Sequence, residues 1–121
     1  MKIVKVLVVD DNKDVTDLLS RYLESKGIEN IATNNPLEGL RRIKEQNYDT
    51  ILLDISMPDF SGIDIIHTLE KENILKDQKI VIFSATAFTD SEIQQLLHKQ
   101  GVQSCIKKPI KLEKLLTAIT T

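Results

Sequence analysis

The chain has 121 residues, 41% of them hydrophobic and 28% charged, so its composition is that of a globular protein and its length fits one domain. The net charge of -2 and the pI of about 5.7 argue against nonspecific nucleic-acid binding, which needs a basic surface. One cysteine, Cys105, excludes an internal disulfide and favours a reducing compartment, and no apolar run approaches the length of a membrane span.

The first half of the chain alternates apolar runs with helical patterns. Residues 4–9 are apolar and β-branched almost throughout, which predicts a strand buried on both faces of a parallel sheet. Residues 28–33 are less apolar and predict an edge strand, and residues 49–54 predict a third strand that ends on Asp54. Between the first two strands, apolar residues recur at helical spacing, and Gly27 is placed to end that helix.

The second predicted helix carries a start signal. Asn35 is placed as its N-cap, Pro36 as its first residue and Glu38 as the acid of a capping box. Its predicted core residues are Leu37, Leu40 and Ile43.

The second half continues the alternation. Residues 61–72 predict a helix, residues 79–84 a buried strand, and residues 102–108 a fifth strand stopped by Pro109. The fourth and fifth helices are indicated by apolar residues at helical spacing, with a possible capping box and a closing glycine for the fourth. The residues behind these two predictions are Thr89, Glu92, Ile93, Leu96, Leu97 and Gly101, and then Leu112, Leu115, Leu116 and Ile119.

Regular alternation of strand and helix predicts an α/β domain with a parallel sheet and helices on both faces. Because parallel strands point the same way, their carboxyl ends meet at one edge, where ligands bind. The residues expected at that edge are Asp10, Asp11, Asp54, Ser84 and Lys108. Lys108 is predicted to share a face of its strand with Val102 and Ile106, and Lys107 to point the other way.

Three carboxylates at one edge repel one another, and a divalent cation would relieve that repulsion. Oxygen ligands without His or Cys favour Mg²⁺ over Zn²⁺. A lysine and a hydroxyl beside them suit a phosphoryl group, and a carboxylate can act as the nucleophile that accepts it. Asp54 is the best candidate because it stands alone at the end of the third strand.

Four segments, VLVVDD, LLDISMPDFSG, IVIFSAT and IKKP, resemble the signature segments of CheY-like response-regulator receiver domains, in the same order and over essentially the whole chain. The resemblance implies a flavodoxin-like, doubly wound five-stranded sheet with strand order 2-1-3-4-5. It also implies that residues 1–121 form a single receiver domain without an output domain. Such domains are cytoplasmic signalling proteins rather than enzymes and catalyse only their own phosphorylation and dephosphorylation.

The resemblance also implies the residue roles. Asp54 is expected to be phosphorylated by a sensor histidine kinase or phosphotransfer protein. Asp11 is expected to bind Mg²⁺ directly, Asp10 through water, and Ser56 through its main-chain carbonyl. The residues expected to bind the phosphoryl group or to act in the switch are Lys108, which precedes a cis proline, Ser84 and Thr86.

The expected output is a conformational change read by a protein partner on the fourth helix, fifth strand and fifth helix, without direct contact to nucleic acid or membrane. One residue departs from the family pattern: Cys105 stands where an aromatic residue usually takes part in the switch. Phosphorylation is expected to survive this change, whereas the aromatic part of the switch is not expected.

Two other functions are compatible with parts of this pattern. A degenerate receiver could act as an adaptor without phosphorylation, for which Cys105 is the only support, and absence of Mg²⁺ affinity would favour it. An aspartyl-nucleophile phosphatase would need a second aspartate two residues after Asp54, where this chain has Ser56.

Overall fold

A computed structural model describes residues 4–84 and 90–121 of the chain. The strands are β1 (Lys5–Val9), β2 (Glu29–Thr33), β3 (Thr50–Asp54), β4 (Ile80–Ser84) and β5 (Val102–Lys107). The helices are α1 (Lys13–Ser25), α2 (Pro36–Glu45), α3 (Gly62–Lys71), α4 (Asp90–Leu97) and α5 (Leu112–Thr120), and a 3₁₀ turn (Leu75–Asp77) precedes β4. The predicted alternation of strand and helix is confirmed.

The five strands form one parallel sheet in the order β2-β1-β3-β4-β5. The predicted strand order is therefore confirmed, as is the placement of β2 at an edge of the sheet. The central strand β3 is buried along its whole length. Since all five strands run in one direction, their carboxyl ends lie along one edge of the sheet.

Two apolar cores separate the sheet from its helices. On one face, β-strand side chains pack with Ile43 of α2, Ile66 of α3 and Leu96 of α4. On the other face they pack with Leu19 of α1 and Leu115 of α5. Helices thus cover both faces, as predicted, and no helix in the described part of the chain has the length and apolarity needed to cross a bilayer.

Side-chain caps fix where two helices begin next to the carboxyl edge. The Asn12 side chain accepts hydrogen bonds from the N–H groups of Asp14 and Val15 and so caps α1. Ser61 and Asp64 form a reciprocal capping box at the start of α3. Because Asn12 is the α1 cap, the carboxylates of Asp10 and Asp11 are not needed for that purpose.

Helix α2 begins as predicted but presents a different face to the sheet. Asn35 caps it by accepting from the N–H groups of Leu37 and Glu38, whereas the Glu38 carboxylate binds Arg41 and Arg42 instead of completing a capping box. Leu37 is 59% exposed, so its predicted core position is wrong. The helix approaches β1 on the side of Gly39, where an added Cβ would lie 2.8 Å from Val9. Leu37 is two residues earlier, about 200° around the helix, and so lies on nearly the opposite side.

The prediction for the end of α4 needs correction. The helix ends at Leu97, and Gly101 lies four residues later, directly before β5, with a φ of +103°. A Cβ at Gly101 would collide with the carbonyl oxygen of Leu75, so this glycine permits the close approach of the 3₁₀ turn rather than closing the helix. Thr89, the predicted cap of α4, lies outside the described residues.

Strand β5 contains a bulge that the sequence pattern did not reveal. Ile80 pairs with Val102 but the next residue, Val81, pairs with Ser104, so Gln103 is the extra residue. Val102 consequently belongs to the core against α4, while Ile106 belongs to the core against α5. The prediction that Lys108 shares a face with both residues is therefore wrong for Val102, because the bulge reverses the alternation.

Candidate functional site

The carboxyl edge of the sheet collects side chains from four strands. Asp10 directly follows β1, Asp54 ends β3, Ser84 ends β4, and Lys108 directly follows β5. Asp10, Asp54 and Ser84 are all buried. Charged groups are rarely buried unless they are paired, so their contacts decide what the edge can do.

Asp10 is fully buried and is held from two sides. One carboxylate oxygen accepts a hydrogen bond from the Asn12 N–H at 2.9 Å, and the other accepts one from Lys108 Nζ at 3.0 Å. The first contact is local and follows from the turn between β1 and α1. The second joins residues at opposite ends of the chain and closes the site across the sheet.

Asp54 is almost fully buried at the end of the central strand. One of its oxygens accepts a hydrogen bond from the Ser56 N–H at 3.1 Å, and the other lies 3.6 Å from Lys108 Nζ. Burial, and secondarily the negative charge of Asp10, raise the pKa of Asp54 from 3.8 to about 6, although Lys108 and the Ser56 N–H oppose this. The ionised carboxylate is thus short of stabilising partners, which favours binding of a further cationic group.

Lys108 reaches the two buried acids because its strand ends beside β4. Its N–H donates to the Ser84 carbonyl at 2.8 Å, and its ammonium lies 5.4 Å from the centre of the Phe83 ring. The Lys108–Pro109 peptide bond is cis, as the resemblance implied. Lys107 is exposed, as predicted, so only the second of the two adjacent lysines faces the acids.

Asp11 completes an acidic cluster. It is exposed, in contrast to Asp10 and Asp54, yet one carboxylate oxygen from each of the three residues lies within 4.8 Å of the other two. Three oxygen donors at this spacing, two of them buried and one open to solvent, fit a hard divalent cation that keeps part of its water shell. The donors present therefore fit the kind of metal predicted from the sequence.

Three further residues were predicted to take part in the site. Ser56 lies two residues after Asp54 and is exposed, whereas Ser84 is buried at the end of β4. Thr86 lies outside the described residues. Cys105 pairs with Ile82 in the sheet and packs at the margin of the core against α4. Burial raises the pKa of the Cys105 thiol, as expected for a small core residue rather than a reactive one.

One residue that contacts the acidic cluster was not predicted from the sequence. No role was predicted for the end of the second strand, but Asn34, directly after β2, donates hydrogen bonds to the Asp10 carbonyl at 2.8 Å and to the Thr16 hydroxyl at 2.9 Å. An asparagine in a loop ordinarily indicates a turn or a cap, and the adjacent Asn35 carries that stronger signal.

A family model described as the response regulator receiver domain matches residues 6–120. The chain belongs to the response regulator receiver family. This confirms the resemblance drawn from the four sequence segments.

Individual relatives agree with this assignment. The polar-differentiation response regulator DivK of Brucella anthropi is 31% identical over 114 residues, covering 94% of this chain and 91% of DivK. Among solved structures, the Francisella response regulator 1452 receiver domain is 32% identical with a TM-score of 0.82, covering 96% of this chain and 93% of that one. A receiver protein from Pseudomonas putida has 28% identity and a TM-score of 0.87, covering 99% and 98%.

A further neighbour was crystallised with a ligand. The response regulator TrrA from Thermotoga maritima, solved in complex with Mg²⁺–BeF, is 27% identical to this chain with a TM-score of 0.82. The alignment covers 98% of this chain and 97% of TrrA.

Proposed function

We propose that this receiver domain accepts a phosphoryl group on Asp54 from the phosphohistidine of a sensor kinase or phosphotransfer protein, with Mg²⁺ bound. The observation that carries the proposal is the buried Asp54 carboxylate, which lies 3.6 Å from the Lys108 ammonium and forms an acidic cluster with Asp10 and Asp11. A buried carboxylate with a raised pKa is kept at a stability cost, which is typical of functional groups.

In the proposed reaction an Asp54 carboxylate oxygen attacks the phosphorus atom of the donor. The phosphorus–nitrogen bond breaks, its electron pair goes to the imidazole of the donor, and an acyl phosphate remains on Asp54. Lys108 is placed to pair with an oxygen of the transferred group. The Ser56 N–H already holds one Asp54 oxygen, so the other is the one directed towards Lys108.

The residues that would hold Mg²⁺ are Asp10, Asp11 and Asp54, with the main-chain carbonyl of Ser56. When bound, the ion supplies positive charge that offsets the charge of the phosphoryl group and of the carboxylates. The Mg²⁺–BeF complex of TrrA supports this choice of metal. Asp10 and Lys108 are already paired at 3.0 Å, so the charges at this edge are partly compensated by the protein itself.

Output is proposed to follow from Ser84, which ends β4, and from Thr86. Both hydroxyls are proposed to respond to the phosphoryl group and to alter the surface made by α4, β5 and α5. A downstream protein would read that surface in the cytoplasm. Cys105 lies on β5 within this surface, and its small side chain implies a switch without an aromatic residue.

The proposal is tested by intact-mass measurement after incubation with acetyl phosphate and Mg²⁺. The wild type should gain the mass of one phosphoryl group, and it should gain none in EDTA. Asp54→Asn should gain none, whereas Asp59→Asn, a change of the same kind at an exposed neighbour, should behave as the wild type. An unmodified wild type, or equal modification of Asp54→Asn, contradicts the proposal, and absence of any Mg²⁺ affinity would favour an adaptor.

A further inference from the structure

Asp11 differs from the two buried acids in how it is held. Asp10 and Asp54 each have hydrogen bonds to their carboxylates, whereas among the described residues no hydrogen bond or ion pair fixes the carboxylate of Asp11. Its position therefore depends on the main chain that carries it.

The side chain of Asn34 holds this part of the main chain through a hydrogen bond. The carbonyl of Asp10 belongs to the planar peptide unit that leads into Asp11, so holding this carbonyl fixes the direction in which Asp11 leaves the strand. The Asn34 amide nitrogen donates to the Asp10 carbonyl oxygen at 2.8 Å. Among the described residues, Asn34 is the side chain that forms a hydrogen bond with the peptide group joining Asp10 to Asp11.

Thr16 holds the Asn34 amide in place. The Thr16 hydroxyl donates to the Lys13 carbonyl at 3.0 Å, so its hydrogen is used and its lone pair faces Asn34 Nδ2 at 2.9 Å. A carbonyl and a lone pair are both acceptors, so Asn34 must present its NH₂ group to both. Thr16 is only 3% exposed, so this anchor is protected from competing water.

We propose that Asn34 and Thr16 are positioning residues that set the metal affinity of the acidic cluster by fixing the Asp10–Asp11 peptide. This inference rests on the proposed Mg²⁺ site and assigns it two supporting residues, one directly after β2 and one in α1. Residues that orient metal ligands without touching the metal alter its affinity when they are removed.

Asn30 provides a matched control. It lies near the start of β2, whereas Asn34 directly follows the end of that strand, and its amide also donates a hydrogen bond to α1, at 3.5 Å to the Ser20 carbonyl. Asn30→Ala therefore also removes an asparagine hydrogen bond to α1, but one that is remote from the acids. Thr16→Val removes only the hydroxyl of the anchor, and Thr16→Ser retains it.

The test is a titration of the wild type and of each variant, labelled with ¹⁵N, with MgCl₂, in which Mg²⁺ binding is monitored by the chemical shifts of the backbone amides. Thermal unfolding of the same proteins is measured without Mg²⁺. Asn34→Ala should weaken Mg²⁺ binding by about 10-fold, and Thr16→Val should weaken it in the same direction. Thr16→Ser and Asn30→Ala should keep the wild-type affinity, even where Asn30→Ala lowers the melting temperature as much as Asn34→Ala does.

Two outcomes overturn the proposal, and they are distinguishable. If the wild type binds Mg²⁺ and the folded Asn34→Ala and Thr16→Val variants bind it equally well, the positioning role is wrong and the proposed function stands. If the wild type shows no Mg²⁺ affinity, the metal site itself is wrong, and the positioning role fails with it.

Discussion

The ammonium of Lys108 lies 3.0 Å from a carboxylate oxygen of Asp10, which is fully buried. The same ammonium lies 3.6 Å from Asp54 and is itself 18% exposed. One cation therefore compensates two buried acids, and its loss would leave both without a charged partner among the described residues.

Lys108→Gln is expected to lower the free energy of unfolding by roughly 2–3 kcal/mol near neutral pH, because it leaves two buried carboxylates facing each other. Lys107→Gln removes the same charge from an exposed side chain and should change stability by no more than about 0.5 kcal/mol. Urea unfolding followed by circular dichroism, in EDTA, compares the two. Equal stability of both variants would show that the Lys108 pairs contribute nothing.

Asp54→Asn is expected to stabilise the protein above pH 6. Because the pKa of Asp54 is raised from 3.8 to about 6, the folded state keeps a proton that the unfolded state loses between these values. The stabilisation that Asp54 contributes is therefore fully present below its pKa of 3.8 in the unfolded state. It is lost as the pH rises through its pKa of about 6 in the folded state. Removing the acid should gain roughly 2–3 kcal/mol near pH 7.5 and almost nothing near pH 4.

Urea unfolding of the wild type and Asp54→Asn at both pH values, in EDTA, checks this pH dependence. Asp77→Asn, at an exposed acid, is the control for the loss of one negative charge. A variant that is less stable than the wild type at the higher pH would contradict the direction of the shift.

Gly62→Ala should disturb the site through the backbone. A Cβ at Gly62 would collide with the carbonyl oxygen of Asp54 and lie 2.9 Å from Cα of Ile55, so α3 would have to move away from the end of β3. A loss of roughly 2–4 kcal/mol and weaker Mg²⁺ binding are expected, as for other overpacked sites.

Gly39→Ala is the comparison, since the atoms nearest to its Cβ would belong to the Val9 side chain, at 2.8 Å, and not to the main chain. Val9 is fully buried and β-branched, so its side chain has little freedom to shift. The collision should outweigh the gain of about 1 kcal/mol in helix propensity from the alanine, which gives a loss of stability smaller than at Gly62 and unchanged Mg²⁺ binding. Thermal unfolding and Mg²⁺ titration of both variants separate the two cases. Similar losses for both would mean that helix packing, rather than the approach to Asp54, limits these positions.

The Cys105 thiol should react slowly with a disulfide reagent in the folded protein. Burial raises its pKa, which lowers the fraction of reactive thiolate, and the side chain is only partly accessible. The rate of reaction with DTNB should rise by about 10-fold or more when the protein is unfolded in urea. A native rate equal to the unfolded rate would show that Cys105 is freely exposed.

Much of the site could be predicted from the sequence because its charged residues stand at strand ends. Asp10, Asp54 and Lys108 each interrupt or follow an apolar run, and a parallel sheet brings such positions together whatever the details of packing. The acids and the lysine do meet, at 3.0 Å and 3.6 Å. The topology alone therefore sufficed to bring these residues together.

What could not be predicted depends on packing and local geometry. Leu37 fits the helical spacing of a core residue, but the close approach of Gly39 to Val9 turns it outwards. Glu38 fits a capping box, but two arginines one turn later compete for it. Asn34 carries no signal of its own in the sequence, because the carbonyl and hydroxyl it binds are brought to it only by the fold.

The bulge in β5 has a consequence for changes in chain length. Gln103 is the residue that the ladder with β4 leaves unmatched, while Ser104 to Lys107 pair in regular succession. Deleting Gln103 would remove the bulge, so that Val102 and Ser104 become consecutive residues of a regular ladder with β4. The pairing of Ser104 to Lys107, and therefore the position of Lys108, would not change. An insertion or deletion inside a strand normally turns every later side chain to the opposite face, but this one deletion would leave Lys108 facing Asp10 and Asp54.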